Sequence, residues 1–182
     1  MIPAIRGTDA RPPAPACPVG GERCLTAGEA ALVRSVFGGA IDIARVTIRR
    51  RRWFALQPRK VTMAPMGHIH FHPASPDYSD DFSREELDLQ GHFIHEMTHV
   101  WQTQSRGRWH LPLRRPFSRR YDYCLRPGWK LERYGIEQQA EIVRHAFLLR
   151  QGLRIAGVGD AAAYDLLVCF EDSCASGVIA AM

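Results

Sequence analysis

The sequence predicts an α+β domain in which two long helices pack with a small group of strands. Apolar residues recur at helical spacing over about 89–104 and again over about 131–151. Two short segments within 41–73 instead alternate between apolar and polar residues, as strands with one polar face do. Because the strands are grouped together and are not interleaved with the helices, the pattern favours α+β.

The length and composition of the chain fit one domain with a single hydrophobic core. Of its 182 residues, 46% are hydrophobic, which is ordinary for a globular protein. Residues 1–24 are rich in Pro, Gly and Ala and show no periodicity. We therefore expect a flexible arm there and one domain over residues 25–182.

The N-terminus has no apolar run typical of a Sec signal peptide. Elsewhere the chain has no segment that reaches the ~18–20 apolar residues needed to cross a bilayer. These features predict a cytoplasmic protein without a membrane span. Export by a route that uses no cleaved signal stays open.

The part of the chain that follows the arm carries the signals of one helix and two strands. Thr26 and Glu29 have the spacing of a capping box, and Gly38 ends the helix that follows. Residues 41–56 contain a strand with one polar face, and residues 61–73 contain an extended pair that is broken near Pro65, Met66 and Gly67. In the second half of residues 61–73, three histidines share one face of the strand: His68, His70 and His72. We expect this face to point to solvent, and a second metal site is the alternative.

Cysteine usage does not predict a disulfide framework or a thiolate zinc site. The five cysteines are an odd number, and none belongs to a CxxC pair. Two pairs are close enough in sequence to bond in an oxidising compartment: Cys17 with Cys24, and Cys169 with Cys174.

The formal net charge of +5 is carried almost entirely by arginine. Arginines mix with Trp, Phe and Tyr over residues 105–130, which we interpret as an irregular segment. Such a segment could contact nucleic acid through phosphates and stacked bases, or it could cover a substrate site. No nucleic-acid-binding motif accompanies it, so nucleic acid is not predicted as a partner.

The stretch FIHEMTHVWQ, residues 93–102, contains the motif HExxH inside a predicted helix. Residues four apart on a helix share a face, so His95 and His99 can each place an imidazole nitrogen ~2.0–2.1 Å from one zinc ion. Glu96 lies beside this pair, where a carboxylate can take a proton from water and pass it to a leaving amine. The pattern predicts a zinc site with one general base. The alternative is an amphipathic helix with a chance polar stripe.

A catalytic zinc needs a third protein ligand, and the second long helix offers one. Its sequence ERYGIEQQAEIVRH places Glu137 and Glu141 four apart, so both can face the first helix. We predict Glu137 as the ligand and Glu141 as the hydrogen-bond acceptor that fixes the tautomer of a ligand histidine. His145 is the alternative ligand. A solvated helix face would also explain the two glutamates.

The motifs HEMTHVWQ and EQQAEI together resemble the zincin-like metallopeptidases. More narrowly, residues 25–151 resemble bacterial proteins known as Vgr-related, which are similar to the peptidase-like core domain of extracellular contractile injection systems. The segments that carry this resemblance are LTAGEAALVRSVFGGAIDIARVTI, VTMAPMGHIHFHP, LQGHFIHEMTHVWQ and RYGIEQQAEIVRHAFLLR. The resemblance implies a zincin-like domain with His95, His99 and Glu137 as zinc ligands and Glu96 as the base.

Other residues are candidates for the cleft around this site. His92 lies one turn before Glu96 and near the same helix face. Tyr134 is a candidate for a phenol that stabilises a tetrahedral oxyanion, and Tyr121 and Tyr123 are alternatives.

Two functions from different classes follow from the sequence. The first is a zinc-dependent hydrolase of the glutamate-zincin type, a metallopeptidase that acts on a peptide or protein. The second is a non-catalytic accessory or assembly module with the same fold, whose partner is a protein of a secretion or phage-tail-like apparatus. An intact general base at Glu96 favours the first, because metal retention alone needs only the ligands.

Overall fold

Helices form most of the regular structure in the computed structural model, which describes residues 15–111 and 121–170. In chain order the elements are β1 (Glu22–Cys24), α1 (Ala27–Phe37), β2 (Thr47–Arg49), β3 (Ile69–His70), α2 (Leu87–Arg106), α3 (Ile136–Arg150) and α4 (Ala161–Asp165). Short 3₁₀ helices occur at Ile43–Arg45, Phe82–Arg84 and Leu131–Arg133. The described chain thus combines helices with one small sheet.

The three strands form one sheet in the order β1-β2-β3. β1 runs antiparallel to β2, with Arg23 opposite Ile48, and β2 runs parallel to β3, with Ile48 opposite Ile69. β3 is also bridged on its other side, because Met63 and His70 exchange backbone hydrogen bonds of 3.1 and 2.7 Å. The sheet therefore has a central strand whose Ile48 side chain is fully buried.

The predicted strands are longer than the observed ones. Only Thr47–Arg49 of residues 41–56 is a strand, since the Asp42 side chain accepts a hydrogen bond from Ala44 N–H and starts the 3₁₀ helix Ile43–Arg45. The expectation that the three histidines face solvent is also wrong for two of them, because His70 and His72 are buried. The Trp53 ring packs edge-on against the His70 ring, with centroids 5.1 Å apart, and covers part of that face.

Part of the segment over residues 1–24, for which the sequence predicts a flexible arm, contacts the domain. β1 pairs with β2, and Cys17 is buried with its N–H donating to Asp80 Oδ1 at 2.9 Å. These contacts fix residues 17–24 to the domain. The remaining expectation of flexibility, for residues 1–14, lies outside the described residues.

The first helix begins as predicted. Thr26 is the N-cap of α1, and its hydroxyl accepts from Glu29 N–H while the Glu29 carboxylate accepts from Thr26 N–H. The Glu29 carboxylate also accepts from Phe82 N–H and from the Arg23 guanidinium. Glu29 therefore connects β1, α1 and the 3₁₀ helix Phe82–Arg84.

The two long helices, α2 and α3, pack against each other and form one wall of the core. Gly91 allows close approach, because a Cβ atom there would lie only 3.1 Å from the Leu148 side chain. The core extends from this interface to α1 and the sheet through aromatic rings, and the Phe82 and Phe93 rings stack with centroids 5.0 Å apart. This packing holds the polar face of α2 against α3.

The second long helix starts later than predicted. The segment Leu131–Arg133 is a 3₁₀ helix, and α3 begins at Ile136 after Gly135, the N-cap, whose N–H donates to Gln138. The predicted helix over about 159–170 is shorter and ends at Asp165. The glutamates at 137 and 141 therefore lie in the first two turns of α3.

Three of the cysteines are free thiols: Cys17, Cys24 and Cys124. The pair Cys17 and Cys24 therefore does not form a bond, whereas Cys169 takes part in a disulfide. Cys174 lies outside the described residues.

Among the helices in the described part of the chain, none combines the length and the apolar character needed to cross a membrane.

Candidate metal centre

Two histidines from α2 and one glutamate from α3 meet at the interface between these helices. His95, His99 and Glu137 each offer a ligand atom, and the three atoms lie within 4.8 Å of one another. The exposed fractions of these residues are 6%, 2% and 2%. Three potential ligands buried around one point could hold a metal ion.

The distances between the ligand atoms suit a small tetrahedral ion. Glu137 Oε2 lies 3.2 Å from His99 Nε2 and 3.5 Å from His95 Nε2. Ligand atoms ~2.0–2.1 Å from a tetrahedral zinc ion are separated by about 3.3–3.4 Å. The two distances from Glu137 are therefore close to those between ligands of one such ion.

The second nitrogen of each imidazole is held by a neighbouring side chain. His95 Nδ1 lies 2.9 Å from Glu141 Oε1, and His99 Nδ1 lies 2.9 Å from Gln102 Oε1. The contact with Glu141 is an ion pair whose geometry is not that of a hydrogen bond. Because an ionised carboxylate can only accept, this contact still favours a proton on His95 Nδ1 and a lone pair on Nε2. Histidines that bind metals are oriented in this way.

In the metal-free cluster, the imidazoles and the carboxylates shift each other's pKa values. Burial lowers the pKa of His95, but contacts with the Glu137 and Glu141 carboxylates outweigh burial and raise it to about 9. Burial raises the pKa of the Glu137 carboxyl, but the two histidines outweigh that effect and hold it well below its usual range. A cation at the centre, either a proton or a metal, is therefore favoured at neutral pH.

Glu96 is buried beside this cluster and has an oxygen available. Its exposed fraction is 4%, and within the described ranges 15–111 and 121–170 its Oε2 atom has no hydrogen-bond partner. A buried carboxylate oxygen without a partner is costly unless a water, an ion or a substrate group occupies the space beside it. A carboxylate oxygen can accept a hydrogen bond from such a group.

The chain is similar to known proteins over most of its length. It is 41% identical over 132 residues to the type VI secretion system spike protein VgrG2b of Pseudomonas aeruginosa. The matched region covers 69% of this chain and 13% of that protein. The solved effector domain of P. aeruginosa VgrG2b matches with a TM-score of 0.64 and 34% identity over 88% of each chain. The chain belongs to the family of the VgrG2b effector domain.

This membership concerns the effector domain, and the chain spans about 13% of the length of the whole VgrG2b spike protein. No family model matches the chain. Its relationship to the VgrG2b effector domain supports the narrower of the two sequence resemblances, to Vgr-related bacterial proteins.

The remaining candidates from the sequence lie at different distances from the cluster. His92 is half-buried, with its Nε2 2.9 Å from Thr62 Oγ1 and its ring centroid 6.4 Å from that of His95. Tyr121 is 51% exposed, and its ring centroid lies 6.2 Å from that of His95. Both side chains therefore border the metal cluster.

Tyr134 is buried and engaged elsewhere, because its hydroxyl accepts a hydrogen bond of 2.9 Å from Arg126 N–H. The Tyr123 hydroxyl is hydrogen-bonded to His145 Nδ1 and to the Tyr164 hydroxyl. His145 itself lies near Glu141, with Nε2 3.6 Å from Oε2, and is not one of the three clustered ligands. Of the three tyrosines considered, Tyr121 has the ring contact with a ligand histidine.

Gln102 is part of the site, although it was not among the candidates that the sequence predicted. Its side chain contacts His99 and reaches two groups of α3. The signal in the sequence was its position, three residues after His99 on the same helix face. A polar residue there faces the partner helix and not solvent.

Proposed function

We propose that this chain is a zinc-dependent hydrolase with a zincin-like fold that cleaves peptide bonds. The observation that carries the proposal is the buried cluster of two imidazoles and one carboxylate with Glu96 Oε2 beside it. Two histidines and one glutamate are a donor set of catalytic zinc sites, in which a fourth position stays open. A non-catalytic zinc site would be closed by a fourth protein ligand, and no fourth ligand joins the cluster within the described residues.

A zinc ion bound by these residues would supply Lewis acidity, which polarises a scissile carbonyl group. Glu96 then accepts a proton from the attacking water at Oε2 and passes it to the leaving amine. Glu141 keeps the proton of His95 on Nδ1, so that Nε2 stays available as a ligand. Burial of Glu137 and both histidines excludes bulk water from the ligand side.

The relatives support a setting for this activity. One is a type VI secretion system spike protein, and the other is the effector domain of that protein. We propose that this chain also works with a secretion apparatus and that its substrate is a peptide or protein outside the apparatus. The second candidate function is a non-catalytic accessory module of such an apparatus, and similarity to one part of a spike protein is the observation that favours it.

The variant Glu96→Gln separates the two functions. Glu96 is not one of the clustered ligands, so the variant should bind as much zinc as the wild type while losing hydrolysis by about 10²–10⁴-fold. The measurement uses zinc-loaded protein, a library of fluorescence-quenched peptides, and mass spectrometry of metal content. Glu132→Gln is the matched control, because Glu132 is an exposed glutamate outside the cluster.

Each outcome of this experiment supports the peptidase or counts against it. Hydrolysis by the wild type and the control but not by Glu96→Gln would support the peptidase. Equal turnover by Glu96→Gln would remove the residue from the role of base. Zinc bound by every variant with no cleavage of any library peptide would favour the accessory module, and no zinc in the wild type would overturn the hydrolase.

A further inference from the structure

Gln102 is a fully buried amide at the interface between α2 and α3, with an exposed fraction of 0%. Its Nε2 donates to the Ile136 carbonyl at 3.0 Å and to Gln139 Oε1 at 2.9 Å. Its Oε1 lies 2.9 Å from His99 Nδ1. All the hydrogen-bonding groups of this amide are thus used, and each partner belongs to the metal cluster or to the first turn of α3.

The direction of these hydrogen bonds is fixed by two backbone carbonyls. A carbonyl can only accept, so the Ile136 carbonyl requires the NH₂ group of Gln102 to face α3. The Tyr134 carbonyl likewise accepts from Gln139 Nε2 at 2.7 Å, which turns Gln139 Oε1 toward Gln102. The oxygen of Gln102 must therefore face His99, and His99 Nδ1 must be the donor.

We propose that Gln102 is a positioning residue that holds His99 in the tautomer protonated on Nδ1 and couples this ring to the start of α3. The coupling passes through the carbonyl of Ile136, which directly precedes Glu137. One amide thereby sets both the lone pair of His99 Nε2 and the backbone that carries Glu137. This inference rests on the metal-binding part of the proposed function and does not require catalysis.

The tautomer of His99 matters for metal binding, because a neutral ring protonated on Nε2 cannot bind a metal through that nitrogen. A neutral imidazole carries one proton, and the hydrogen bond made by one nitrogen decides which nitrogen holds it. Without an acceptor at Nδ1, the proton is free to occupy Nε2, the atom that faces Glu137 Oε2 at 3.2 Å. Loss of Gln102 should weaken metal binding even when the fold is intact.

The first test compares zinc affinity of Gln102→Met, Gln102→Glu and Gln104→Met by competition with a chromophoric chelator. Gln104 is the matched control, because it lies on the same helix and exchanges two hydrogen bonds with the backbone of Asp42 at 2.8 and 3.1 Å. We expect Gln102→Met to lose about 10–100-fold in zinc affinity, as for other partners of ligand histidines. Gln104→Met should bind zinc like the wild type.

Gln102→Glu separates positioning from general stability. Its carboxylate can still accept from His99 Nδ1, but it cannot donate to the Ile136 carbonyl. Unfolding by urea should show that both Gln102 variants are less stable than the wild type. Zinc affinity should nevertheless recover toward the wild-type value in Gln102→Glu and not in Gln102→Met.

The second test reads the tautomer directly in the metal-free protein. Histidine ¹⁵N spectra over a pH series, assigned with a His99→Gln variant, should show the neutral His99 ring protonated on Nδ1 in the wild type. In Gln102→Met the Nε2-protonated form should appear. A wild-type ring protonated on Nε2, or equal zinc affinities for Gln102→Met and Gln104→Met, would overturn the proposal.

The two proposals fail in distinguishable ways. Absence of zinc binding in the wild type sinks both the hydrolase and the role of Gln102 in metal binding, whereas equal zinc affinities for Gln102→Met and Gln104→Met overturn only the second. Wild-type zinc binding without hydrolysis leaves the positioning role intact.

Discussion

His99 Nε2 and Glu137 Oε2 lie 3.2 Å apart across the interface of α2 and α3, although 38 positions separate the two residues in the chain. The contact joins two lone-pair atoms unless a proton or a metal ion lies between them. It therefore links the packing of two helices to the charge at their interface.

Removing the carboxylate of Glu137 should remove the metal. We expect Glu137→Gln to reduce zinc affinity by more than about 100-fold and Glu141→Gln by about 10–100-fold, because the first loses a charged ligand and the second only a partner of His95. Glu132→Gln should retain about one zinc per chain. Mass spectrometry of metal content and chelator competition measure both effects. Zinc retained by Glu137→Gln would mean that a different third ligand completes the site.

Metal binding at neutral pH should release a proton. The pKa of His95 is about 9 in the metal-free protein, since contacts with Glu137 and Glu141 outweigh the effect of burial, so this imidazole is protonated at pH 7. Zinc needs the neutral ring, and the apparent affinity should rise about tenfold per pH unit until it levels off near pH 9.

Calorimetric titration at pH 7 in two buffers with different ionisation enthalpies measures the proton count. We expect a difference that corresponds to about one proton per zinc, and a smaller one for His95→Gln if the variant still binds. Identical apparent enthalpies in both buffers would contradict a protonated His95.

The stability of the metal-free protein should pass through a maximum in mildly acidic solution. The folded-state pKa of His95 is raised above 6.5, so its contribution is complete below that pH and is lost as the pH rises toward about 9. The pKa of Glu137 is lowered from 4.5, so its contribution is present above that pH and is lost as the pH falls.

Urea unfolding with a chelator present, over a series from pH 4 to pH 9, measures this profile. We expect the free energy of unfolding to fall by on the order of 2–3 kcal/mol between pH 6.5 and pH 9. His95→Gln should flatten this part of the profile. A variant profile as steep as that of the wild type would assign the loss to other groups.

The contact between α1 and the 3₁₀ helix Phe82–Arg84 should not tolerate a side chain at Gly28. A Cβ atom there would overlap Ser83 Oγ and lie 2.9 Å from Ser83 Cβ. We expect Gly28→Ala to destabilise the protein by about 1–3 kcal/mol, as overpacking does. Thermal or urea unfolding measures the loss.

Gly159→Ala is the control for that substitution, because a Cβ atom at Gly159 meets nothing within 4 Å. Its free energy of unfolding should stay within about 0.5 kcal/mol of the wild type. The double variant Gly28→Ala with Ser83→Gly should regain part of the lost stability. A Gly28→Ala protein as stable as the control would show that the 3₁₀ helix moves aside at no cost.

The sequence by itself determined the local features of this protein. The capping box of Thr26 and Glu29 depends on residues three apart, and the shared face of His95 and His99 depends on residues four apart. Both follow from helix geometry, which acts over one turn and needs no partner. The α2 helix extends only two residues beyond the predicted range at each end.

Tertiary structure alone decided which distant groups meet. Glu137 and His145 were both available as partners of the histidines, and packing of α2 on α3 brings Glu137 to the cluster and leaves His145 beside Tyr123. The burial of His70 likewise involves the ring of Trp53, a contact that no pattern in its own strand records. Contacts of this kind depend on how helices and strands pack, and a single sequence specifies that packing only through the whole core.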